Sequence, residues 1–501
     1  MSDNENTTKL APDLEISKIV TGLWQIADME RDEKALDLKK TAQHMSGYTD
    51  AGLNTFDMAD HYGSAEDIAG IFMTKIAKDK NVQILTKWVP EPGKNDKDTV
   101  RAAIQTSLDR LQTDSIDLLQ YHAWNYADPS YLEDLFALQE LQDESLIKQL
   151  GVTNFDTAHL NILIETGIKV ASNQVSFSLL DQRAMNGMTQ LCEEKDVKIL
   201  AFGTLAGGFL TEKWLDKKEP KDNDLKTWSE MKYKRYIDHA GGWEKFQNLL
   251  NAIKQTADKH KVSMANVASR YILDQPGVGA IIIGARLGES EHIENNQALL
   301  NFTPSDEDWG AIREAINDLT SIPGDCGDEY RKAPFLTASG DLSHHVDKLP
   351  PPYPTKEGTD GRTLALSGTV WEDIAGFSRA VRKDDRILVS GTTATHGDRV
   401  IGGNDPAAQT HFVIDKVEGA IQSLGGRLED VVRTRVYINN IEDWQPVSRA
   451  HGERFGHIQP ANTLVQTGLI GDGYLVEIET EALRGQFARR GKSGRSQKPV
   501  H

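Results

Sequence analysis

The stretch Asn54-Thr-Phe-Asp-Met-Ala-Asp-His-Tyr-Gly63 joins a short apolar segment to a polar loop. We interpret Thr55 and Phe56 as a buried strand that ends on an acid, Asp57, and the loop after it carries a phenol, Tyr62. A strand end and the loop that follows it can face one pocket, so both side chains are candidates for one site. Taken alone, an acid in this position is more often a turn former or a helix cap.

Two later apolar segments end on the groups that a catalytic tyrosine needs. Lys87 stands in Leu-Thr-Lys-Trp, and His122 follows Leu-Leu-Gln-Tyr. A single lysine of this kind is usually solvated, and a single histidine is usually a packing residue with its hydrogen bonds satisfied. The set indicates a site because all of its members fall at the ends of predicted strands.

Strand-like and helix-like segments alternate from Leu14 to about Leu300. Segments with helical periodicity, such as Val100–Leu111 and Leu132–Leu141, separate most of the apolar ones. Eight strands with helical crossovers over about 290 residues favour an α/β fold of the (β/α)₈ TIM-barrel type over an open doubly wound sheet. The polar and aromatic stretch 211–240 is predicted to be a lid or a loop over the pocket. The predicted strands are Ile19–Gly22, Asn54–Asp57, Val82–Lys87, Ile116–His122, Gln149–Thr153, Ala171–Val175, Lys198–Gly203 and Ala280–Gly284.

The alternation stops near Ser321, and the segment Leu349-Pro-Pro-Pro-Tyr-Pro354 is typical of an extended spacer. The second domain then has the pattern of a small α+β fold, with a helix whose apolar face runs from Val413 to Leu424. Its other predicted elements are strands Leu364–Trp371, Arg386–Ser390, Val432–Ile438, Thr463–Thr467 and Tyr474–Ala482, and a helix Trp444–Phe455. The predicted boundaries are a barrel over 12–325, a proline-rich linker over 326–361, a second domain over 362–485 and a basic, disordered tail over 486–501.

Composition excludes several classes of partner. The net charge of −19 disfavours binding to nucleic acid or to an anionic membrane. The apolar runs are of strand length, so no segment is predicted to span a bilayer, and no signal peptide is recognised at the N-terminus. The two cysteines, Cys192 and Cys326, have no metal-type spacing and fit a reducing compartment. We therefore expect a cytoplasmic protein without a metal site.

The side chains at the strand ends suit the reduction of a carbonyl group, which accepts hydride only if its oxygen is protonated or polarised. A neighbouring ammonium such as Lys87 favours the phenolate of Tyr62, and each pKa unit requires only about 1.4 kcal/mol. Asp57 can balance the buried ammonium, and His122 can hydrogen-bond the carbonyl oxygen. No side chain donates hydride, so a nicotinamide cofactor is expected.

These residues resemble the aldo-keto reductase family over most of residues 14–305. The four positions match that family's catalytic tetrad, Gly151-Val-Thr-Asn-Phe resembles its Gly-Val-Ser-Asn-Phe, and Ala201-Phe-Gly-Thr-Leu-Ala-Gly-Gly resembles its strand-seven loop. The resemblance implies that Asn154 and Gln174 bond the nicotinamide carboxamide and that Phe202 stacks on the ring, where the family usually has Tyr. The implied cofactor-binding residues are Thr153, Asn154, Gln174, Phe202, Gly203, Thr204, Leu205, Gly207, Gly284, Arg286, Glu294 and Asn295.

The resemblance also favours NADP over NAD, because Arg286 matches a position that can meet a 2′-phosphate and the family mostly uses NADPH. No Gly-x-Gly-x-x-Gly motif occurs in the chain, which agrees with a family that binds the dinucleotide on a barrel. Trp24, Trp88 and Trp124 follow strand ends. They either clamp an apolar or sugar-like substrate or belong to ordinary packing at the barrel rim.

Residues 362–483 resemble the Rid family of reactive intermediate deaminases (YjgF-like), through stretches such as Ala375-Gly-Phe-Ser-Arg-Ala-Val and Gln459-Pro-Ala-Asn-Thr. In members that hydrolyse imines, an arginine binds the substrate carboxylate where this chain has Asn462, and the missing charge argues against that activity. Glu477 either matches the acid on a late strand of the family or simply lies on the solvent-exposed face of its strand. With Phe377 and Ser390, these residues make the predicted Rid-like cleft. The family forms trimers, which implies a homotrimer or the binding of small ligands in the clefts.

The sequence thus predicts an NADP(H)-dependent oxidoreductase that reduces an aldehyde or ketone to the alcohol. Its Rid-like domain is expected to serve oligomerisation or ligand binding. Two alternatives stay open at this stage: an NADPH-binding sensor or assembly protein, and a reductase that is also an imine or enamine deaminase.

Overall fold

The protein is described by a computed structural model over residues 6–31, 34–337 and 343–485. The described residues form two compact units: those within 1–124, 134–157 and 169–348 make the first, and those within 125–133, 158–168 and 349–501 make the second. Among the described residues, no helix is long and apolar enough to cross a membrane. The predicted tail, 486–501, lies outside the described residues, and the predicted domain boundaries stay a prediction.

An antiparallel hairpin, β1 (Thr7–Ala11) and β2 (Leu14–Ser17), precedes the barrel and was not anticipated from the sequence. Leu10 is buried in one apolar cluster with side chains of the barrel strands. The backbone N–H of Ser17 donates to Oγ1 of Thr55, at the start of the second barrel strand, at 2.8 Å. The hairpin therefore covers the N-terminal end of the barrel and leaves the C-terminal end for a cavity.

Parallel strands close into the barrel of the first unit in the order β10-β3-β4-β5-β6-β7-β8-β9, which confirms the predicted (β/α)₈ fold. Such strands are almost wholly buried because the interior and the crossover helices cover both faces. Their bounds are β3 (Ile19–Gly22), β4 (Thr55–Asp57), β5 (Gln83–Trp88), β6 (Ile116–Tyr121), β7 (Ile147–Thr153), β8 (Ser172–Ser176), β9 (Lys198–Phe202) and β10 (Val278–Gly284).

Several helices in this part of the chain begin at side-chain caps. Asp96 accepts from the N–H of Thr99, and Ser305 and Asp308 form a reciprocal capping box. The predicted lid contains a helix, α8, which begins after the cap Thr227. The helices are α1 (Trp24–Met29), α2 (Leu38–Asp50), α3 (Ala65–Ile71), α4 (Lys97–Leu111), α5 (Tyr131–Asp143), α6 (Thr157–Glu165), α7 (Met188–Glu194), α8 (Trp228–His239), α9 (Trp243–His260), α10 (Met264–Leu273), α11 (Ile293–Ala298), α12 (Asp306–Asn317) and α13 (Asp328–Arg331).

The second unit is built on a mixed seven-stranded sheet with the order β11-β12-β13-β14-β19-β17-β18. A two-stranded hairpin, β15 (Thr395–His396) and β16 (Arg399–Val400), stands apart from it. The strands of the large sheet are β11 (Thr355–Glu357), β12 (Arg362–Ala365), β13 (Ala380–Lys383), β14 (Arg386–Thr393), β17 (Val431–Ile438), β18 (Ala461–Gln466) and β19 (Val476–Leu483).

Three helices accompany this sheet: α14 (Val370–Ala375), α15 (Pro406–Ser423) and α16 (Trp444–Phe455). The prediction of a strand over Leu364–Trp371 is wrong beyond residue 365. Gly368 takes a positive φ of 74°, and the Glu372 carboxylate accepts from its N–H at 3.0 Å. This turn stops the strand and starts α14.

The predicted linker is not a continuous extended spacer. Its first part contains α13, and its last part contains β11, which pairs antiparallel with β12. Proline restricts its own backbone and that of the residue before it, so residues farther along the chain can still join the folded units.

Candidate active site

A cavity of about 820 Å³ opens at the C-terminal ends of the barrel strands. Its volume lies in the range of ligand pockets, and its position is the one that barrel enzymes use. The structure brings most of the predicted residues together there. Those that line the cavity are Trp24, Asp57, Tyr62, Lys87, His122, Trp124, Thr153, Asn154, Gln174, Phe202, Gly203, Thr204, Leu205, Gly207, Gly284, Arg286 and Asn295.

Lys87 is held in a buried ion pair at the end of β5. Its Nζ donates to Oδ2 of Asp57 at 2.7 Å and to the carbonyl oxygen of Met58 at 2.8 Å. Burial lowers the pKa of Lys87, and the Asp57 carboxylate opposes that shift. The amine is thus a cation that gives up its charge more readily than a solvated lysine.

Asp57 is fixed from its other side by two glutamines. Its Oδ1 accepts from Nε2 of Gln120 at 3.1 Å and from Nε2 of Gln174 at 2.7 Å. Gln174 also donates from Nε2 to Oε1 of Gln120 at 2.8 Å. Both N–H groups of the Gln174 amide are therefore used inside the protein, and its predicted contact with a carboxamide is limited to Oε1.

Tyr62 lies on the loop after β4 with its ring beside the buried ammonium. The Lys87 Nζ is 5.0 Å from the ring centroid. Trp24 packs edge-on against the same ring at 5.0 Å, and His61 does so at 4.8 Å. These contacts fix the position of the phenol at the cavity mouth.

His122 follows β6 and is buried. Its Nδ1 lies 3.4 Å from the carbonyl oxygen of Thr153, and within the described residues its Nε2 has no hydrogen-bond partner. Burial, together with the charge of Arg331, lowers the pKa of His122 well below its usual value. The imidazole is therefore neutral at physiological pH, and its buried Nε2 has no partner among the described residues.

The loop after β9 forms a close-fitting cradle. Gly203 and Gly207 have positive φ values of 76° and 64°. A Cβ at Gly203 would lie 2.1 Å from the Tyr233 hydroxyl, so only glycine fits there. The half-buried ring of Phe202 lies beside this backbone, and His122, whose Nε2 has no partner among the described residues, lines the same cavity. The residues present fit a nicotinamide dinucleotide.

Arg286 lines the cavity and is bonded to two carboxylates. Its Nη1 donates to Asp28 at 2.7 Å, and its Nε donates to Glu289 at 2.9 Å. Burial alone would lower the pKa of Arg286, but the two carboxylates raise it overall. A phosphate that binds this guanidinium has to compete with them.

Three of the four predicted Rid-like residues lie close together in the second unit. The Ser390 N–H donates to the carbonyl oxygen of Arg379, whose Cζ lies 5.7 Å from the Phe377 ring centroid. Oε1 of Glu477 lies against Gly391, where a Cβ would meet it at 2.0 Å.

Asn462 lies elsewhere in the sheet. Its Nδ2 donates to Oγ1 of Thr434 at 2.8 Å, and β17 separates its strand from that of Glu477. Two strand spacings amount to about 10 Å. Within one chain, Asn462 therefore does not join the other three residues.

Comparison with known proteins assigns the barrel to a family. A family model described as the aldo/keto reductase family matches residues 18–317. The chain belongs to the aldo/keto reductase family. A second model, described as endoribonuclease L-PSP, matches residues 369–484, which agrees with the expected Rid-like (YjgF) domain.

Relatives of this aldo/keto reductase cover the two parts separately. Aldo-keto reductase YhdN of Bacillus subtilis is 25% identical over 335 residues, which are 64% of this chain and 96% of that protein. An uncharacterized protein of Streptomyces coelicolor is 43% identical over 120 residues, 24% of this chain and 90% of that protein. A glycerol dehydrogenase structure from Gluconobacter oxydans covers 65% of this chain and 98% of its own, with a TM-score of 0.53 and 23% identity, and so shares the barrel fold.

Two predicted residues of the aldo/keto reductase barrel do not line the cavity. Trp88 is buried with its ring 5.7 Å from that of Tyr121, so its predicted place in the pocket is wrong. It directly follows Lys87 in β5, and consecutive strand residues point to opposite faces. Glu294, in α11, is likewise outside the lining, whereas Asn295 is part of it.

The residues of the site that sequence reasoning missed include Gln120, Lys232 and Tyr330. Gln120 had a signal, since it is a polar side chain inside the apolar run Leu-Leu-Gln-Tyr. Lys232 and Tyr330 line the cavity from α8 and α13. They belong to the stretches predicted as lid and linker, and only tertiary structure brings them to the strand ends.

Proposed function

We propose that the first unit is an NADP(H)-dependent reductase that converts an aldehyde or ketone to the alcohol. The observation that supports it most is the buried pair of Lys87 and Asp57, with the ammonium 5.0 Å from the Tyr62 ring. Burying an ion pair is costly, and hydrophobic residues often stabilise a core as well or better. An ammonium beside a phenol favours the phenolate that remains after proton transfer, which is a reason to retain the pair.

Bound in the cavity, NADPH supplies the hydride. Tyr62 donates its hydroxyl proton to the carbonyl oxygen as negative charge develops there. Lys87 stabilises the resulting phenolate, and Asp57 keeps the ammonium charged and oriented. Gln120 and Gln174 hold the carboxylate of Asp57 in place.

His122 orients the substrate oxygen through Nε2. A neutral imidazole carries one proton, so Nε2 donates to a carbonyl when that proton is on Nε2 and accepts from an alcohol when it is on Nδ1. The Nδ1 contact of 3.4 Å to the Thr153 carbonyl oxygen is long for a hydrogen bond, so either tautomer is accessible. The same residue therefore serves reduction and the reverse reaction.

The decisive experiment replaces Tyr62 with Phe. We expect kcat/KM for NADPH-dependent reduction to fall by about 10²–10⁴-fold, the contribution of a positioned general acid. NADPH binding, measured by fluorescence titration, should be unchanged because the ring remains. The control Tyr437→Phe alters a tyrosine of the second unit and should keep full activity.

Two outcomes of this experiment would contradict the proposal. Retained turnover in Tyr62→Phe would remove the assigned proton donor. Tight NADPH binding by the wild-type chain without any oxidation over a panel of aldehydes and ketones would favour a cofactor sensor instead.

The preference for NADPH over NADH rests on Arg286. To bind a 2′-phosphate, the guanidinium must exchange at least one of its contacts to Asp28 and Glu289 for phosphate oxygens. We expect Arg286→Ala to weaken NADPH binding and to leave NADH binding nearly unchanged, as measured by titration with each cofactor. If the wild-type chain bound NADPH and NADH with equal affinity, the proposed preference would be wrong, but the proposed carbonyl reduction would not be affected.

For the second unit we favour assembly into a homotrimer, as its resemblance implies. Imine hydrolysis is disfavoured because Asn462 offers a neutral amide, already bonded to Thr434, where an arginine would bind a carboxylate. Ammonia release from imines by the full chain would reinstate that activity. Because both cysteines, Cys192 and Cys326, are free, a reducing compartment such as the cytoplasm fits the chain.

A further inference from the structure

The cavity is lined by a histidine whose ring nitrogens the reaction described above does not use. His61 lies on the loop after β4, directly before Tyr62, and its half-buried ring lines the cavity. It packs edge-on against the Tyr62 ring, with the two centroids 4.8 Å apart. Its charge also adds to burial and to the charge of Arg331 in lowering the pKa of His122, so the two histidines lie within electrostatic range. His61 is therefore close to both groups that are assigned to the carbonyl oxygen.

An aspartate fixes the tautomer of this histidine. Nδ1 of His61 lies 2.9 Å from Oδ1 of Asp60, and the other carboxylate oxygen, Oδ2, accepts from the N–H of Val89 at 3.2 Å. An ionised carboxylate has no proton to donate, so the proton of the neutral imidazole is on Nδ1. The hydrogen bonds of the described residues use Nδ1 of this ring, which leaves Nε2 as an acceptor for a ligand.

A nitrogen that only accepts hydrogen bonds distinguishes substrates by the hydrogen that they offer. It can bind a hydroxyl group, which has a proton to donate, but it gains no hydrogen bond from an ether oxygen or a methylene group. A substrate that places an apolar group against it displaces water and leaves the acceptor unpaired, which costs affinity. An imidazole held in one tautomer can therefore select for a substrate hydroxyl.

We propose that the Asp60–His61 pair is a subsite for a hydroxyl group of the substrate, and that the preferred carbonyl compounds carry a hydroxyl on the carbon next to the aldehyde or ketone. This inference rests on the proposed carbonyl reduction and names its substrate class. With the carbonyl oxygen held by Tyr62 and His122, a group on the adjacent carbon is the part of the substrate nearest to the imidazole. The hydroxyl donates to Nε2 of His61, and Asp60 is a positioning residue that keeps this nitrogen unprotonated.

The test measures kcat/KM of the full chain at saturating NADPH and at about pH 8.5, which favours the neutral imidazole. Two pairs of ketones have nearly the same shape: hydroxyacetone with butanone, and methoxyacetone with pentan-2-one. His61→Phe keeps an aromatic ring beside Tyr62 but removes the acceptor, and comparing ratios between the two enzymes cancels the intrinsic reactivity of the ketones. We expect the ratio of hydroxyacetone to butanone to fall by about three- to tenfold in this variant, the factor of one hydrogen bond, mainly through KM for hydroxyacetone. The ratio of methoxyacetone to pentan-2-one should not change.

Replacement of Asp60 by Asn tests the tautomer. The Val89 N–H needs an acceptor, so the amide oxygen of the new side chain faces Val89 and its NH2 group faces Nδ1 of His61. Nδ1 must then accept, and the imidazole proton moves to Nε2. We expect Asp60→Asn to gain a preference of about three- to tenfold for methoxyacetone over pentan-2-one, because an ether oxygen accepts from an N–H. A purely structural role of Asp60 would not change which ketone is preferred.

The chain offers a matched control at a second pair of this kind. Nε2 of His260 lies 2.9 Å from Oδ2 of Asp308, and the ring lies 5.6 Å from that of Phe302, but His260 is outside the lining of the cavity. His260→Phe should keep the wild-type ratios for both pairs of ketones. An independent measurement is the binding of propane-1,2-diol and butan-2-ol, followed by ligand-observed NMR. The diol should bind the wild type about three- to tenfold more tightly, and His61→Phe should lose this difference.

Three results distinguish a failure of this inference from a failure of the proposal on which it rests. The same ratio of hydroxyacetone to butanone in the wild type and in His61→Phe would overturn the hydroxyl subsite and leave carbonyl reduction standing. Weaker NADPH binding in His61→Phe, with both ketones of each pair affected alike, would assign His61 to the cofactor site and also overturn it. If no carbonyl compound is reduced at all, carbonyl reduction fails, and the binding of the diol still decides whether the hydroxyl subsite exists.

Discussion

At the scale of single residues, the site depends on charges that the barrel removes from water. Asp57 and Lys87 are each about 3% exposed and are bonded to each other at 2.7 Å. A buried pair of this kind contributes little net stability when intact, but removal of one partner leaves an uncompensated charge. Gln120 and Gln174 satisfy the remaining carboxylate oxygen.

Replacement of Asp57 by Asn tests this dependence. We expect a loss of about 3 kcal/mol or more in the free energy of unfolding, because Lys87 must lose either its counter-charge or its proton. The rate of carbonyl reduction should also fall, because a neutral amine at Lys87 stabilises the Tyr62 phenolate poorly. Urea denaturation and steady-state kinetics measure the two effects.

The control for this substitution is Asp258→Asn. Asp258 pairs with Lys254 on the exposed surface of α9, and such pairs contribute about 0–1 kcal/mol. If both variants lose the same small amount of stability, the Asp57–Lys87 pair is not a buried pair of the kind described.

At the scale of elements, α15 carries a lysine into the interior of the second unit. Lys416 is 6% exposed, and its Nζ donates to the carbonyl oxygens of Thr393 and Thr395 at 3.1 and 2.5 Å. Burial, followed by the charge of Arg379, lowers the pKa of Lys416 to about 7. Within the described residues, no carboxylate contributes to this shift.

This shift predicts a pH dependence of stability. The pKa of Lys416 is lower in the folded than in the unfolded chain, where it is about 10.4, so the unfolded chain binds more protons between these values. The free energy of unfolding should therefore rise with pH above 7, by at most about 1.4 kcal/mol per pH unit from this one group. Chemical denaturation of the second unit at pH 7 to 9.5 measures it.

Lys416→Met should lose that rise, whereas Lys383→Met, at an exposed lysine of β13, should retain it. The comparison removes the contribution of all other titrating groups. Parallel stability curves for Lys416→Met and the wild type would show that Lys416 keeps an ordinary pKa in the fold.

At the scale of the whole molecule, the sheet of the second unit leaves apolar side chains in solvent. Leu388 of β14 is 41% exposed between two buried neighbours, and Val465 of β18 is 43% exposed. The alternation shows that one face of β14 packs in the core while the other is open. Exposed apolar groups on such a face are typical of an interaction surface.

We expect the full chain to be a trimer and the double variant Leu388→Glu/Val465→Glu to be largely monomeric. Charges placed on a face that is buried on assembly cost desolvation energy in the oligomer and little in the monomer. Light scattering coupled to size exclusion measures the mass. Ile470→Glu, at a loop residue that is 85% exposed, is the control and should not change it. A monomeric wild-type chain would contradict the proposed assembly.

The barrel could be predicted because its signal is local. Most of its strands contain a short apolar run, and the strand ends of a parallel barrel meet at one rim. Asp57, Lys87 and His122 therefore had to be neighbours once the strands were recognised. The chemistry of those side chains then predicted proton transfer beside a bound nicotinamide. Trp88 does not belong in the predicted pocket because side chains alternate between the two faces of a strand. Lys87 points into the barrel, so the next residue, Trp88, points away from it.

Tertiary structure alone decided the hydrogen-bond partners of the buried polar groups and which residues outside the strands reach the cavity. Gln174 donates both of its amide N–H groups, to Asp57 and to Gln120. The sequence does not show this, because the three residues are far apart along the chain and each hydrogen bond depends on side-chain orientation. Lys232 and Tyr330 reach the cavity from segments with no strand pattern, so nothing local marks them. Periodicity determines which residues are buried, whereas long-range packing determines which buried polar groups face one another.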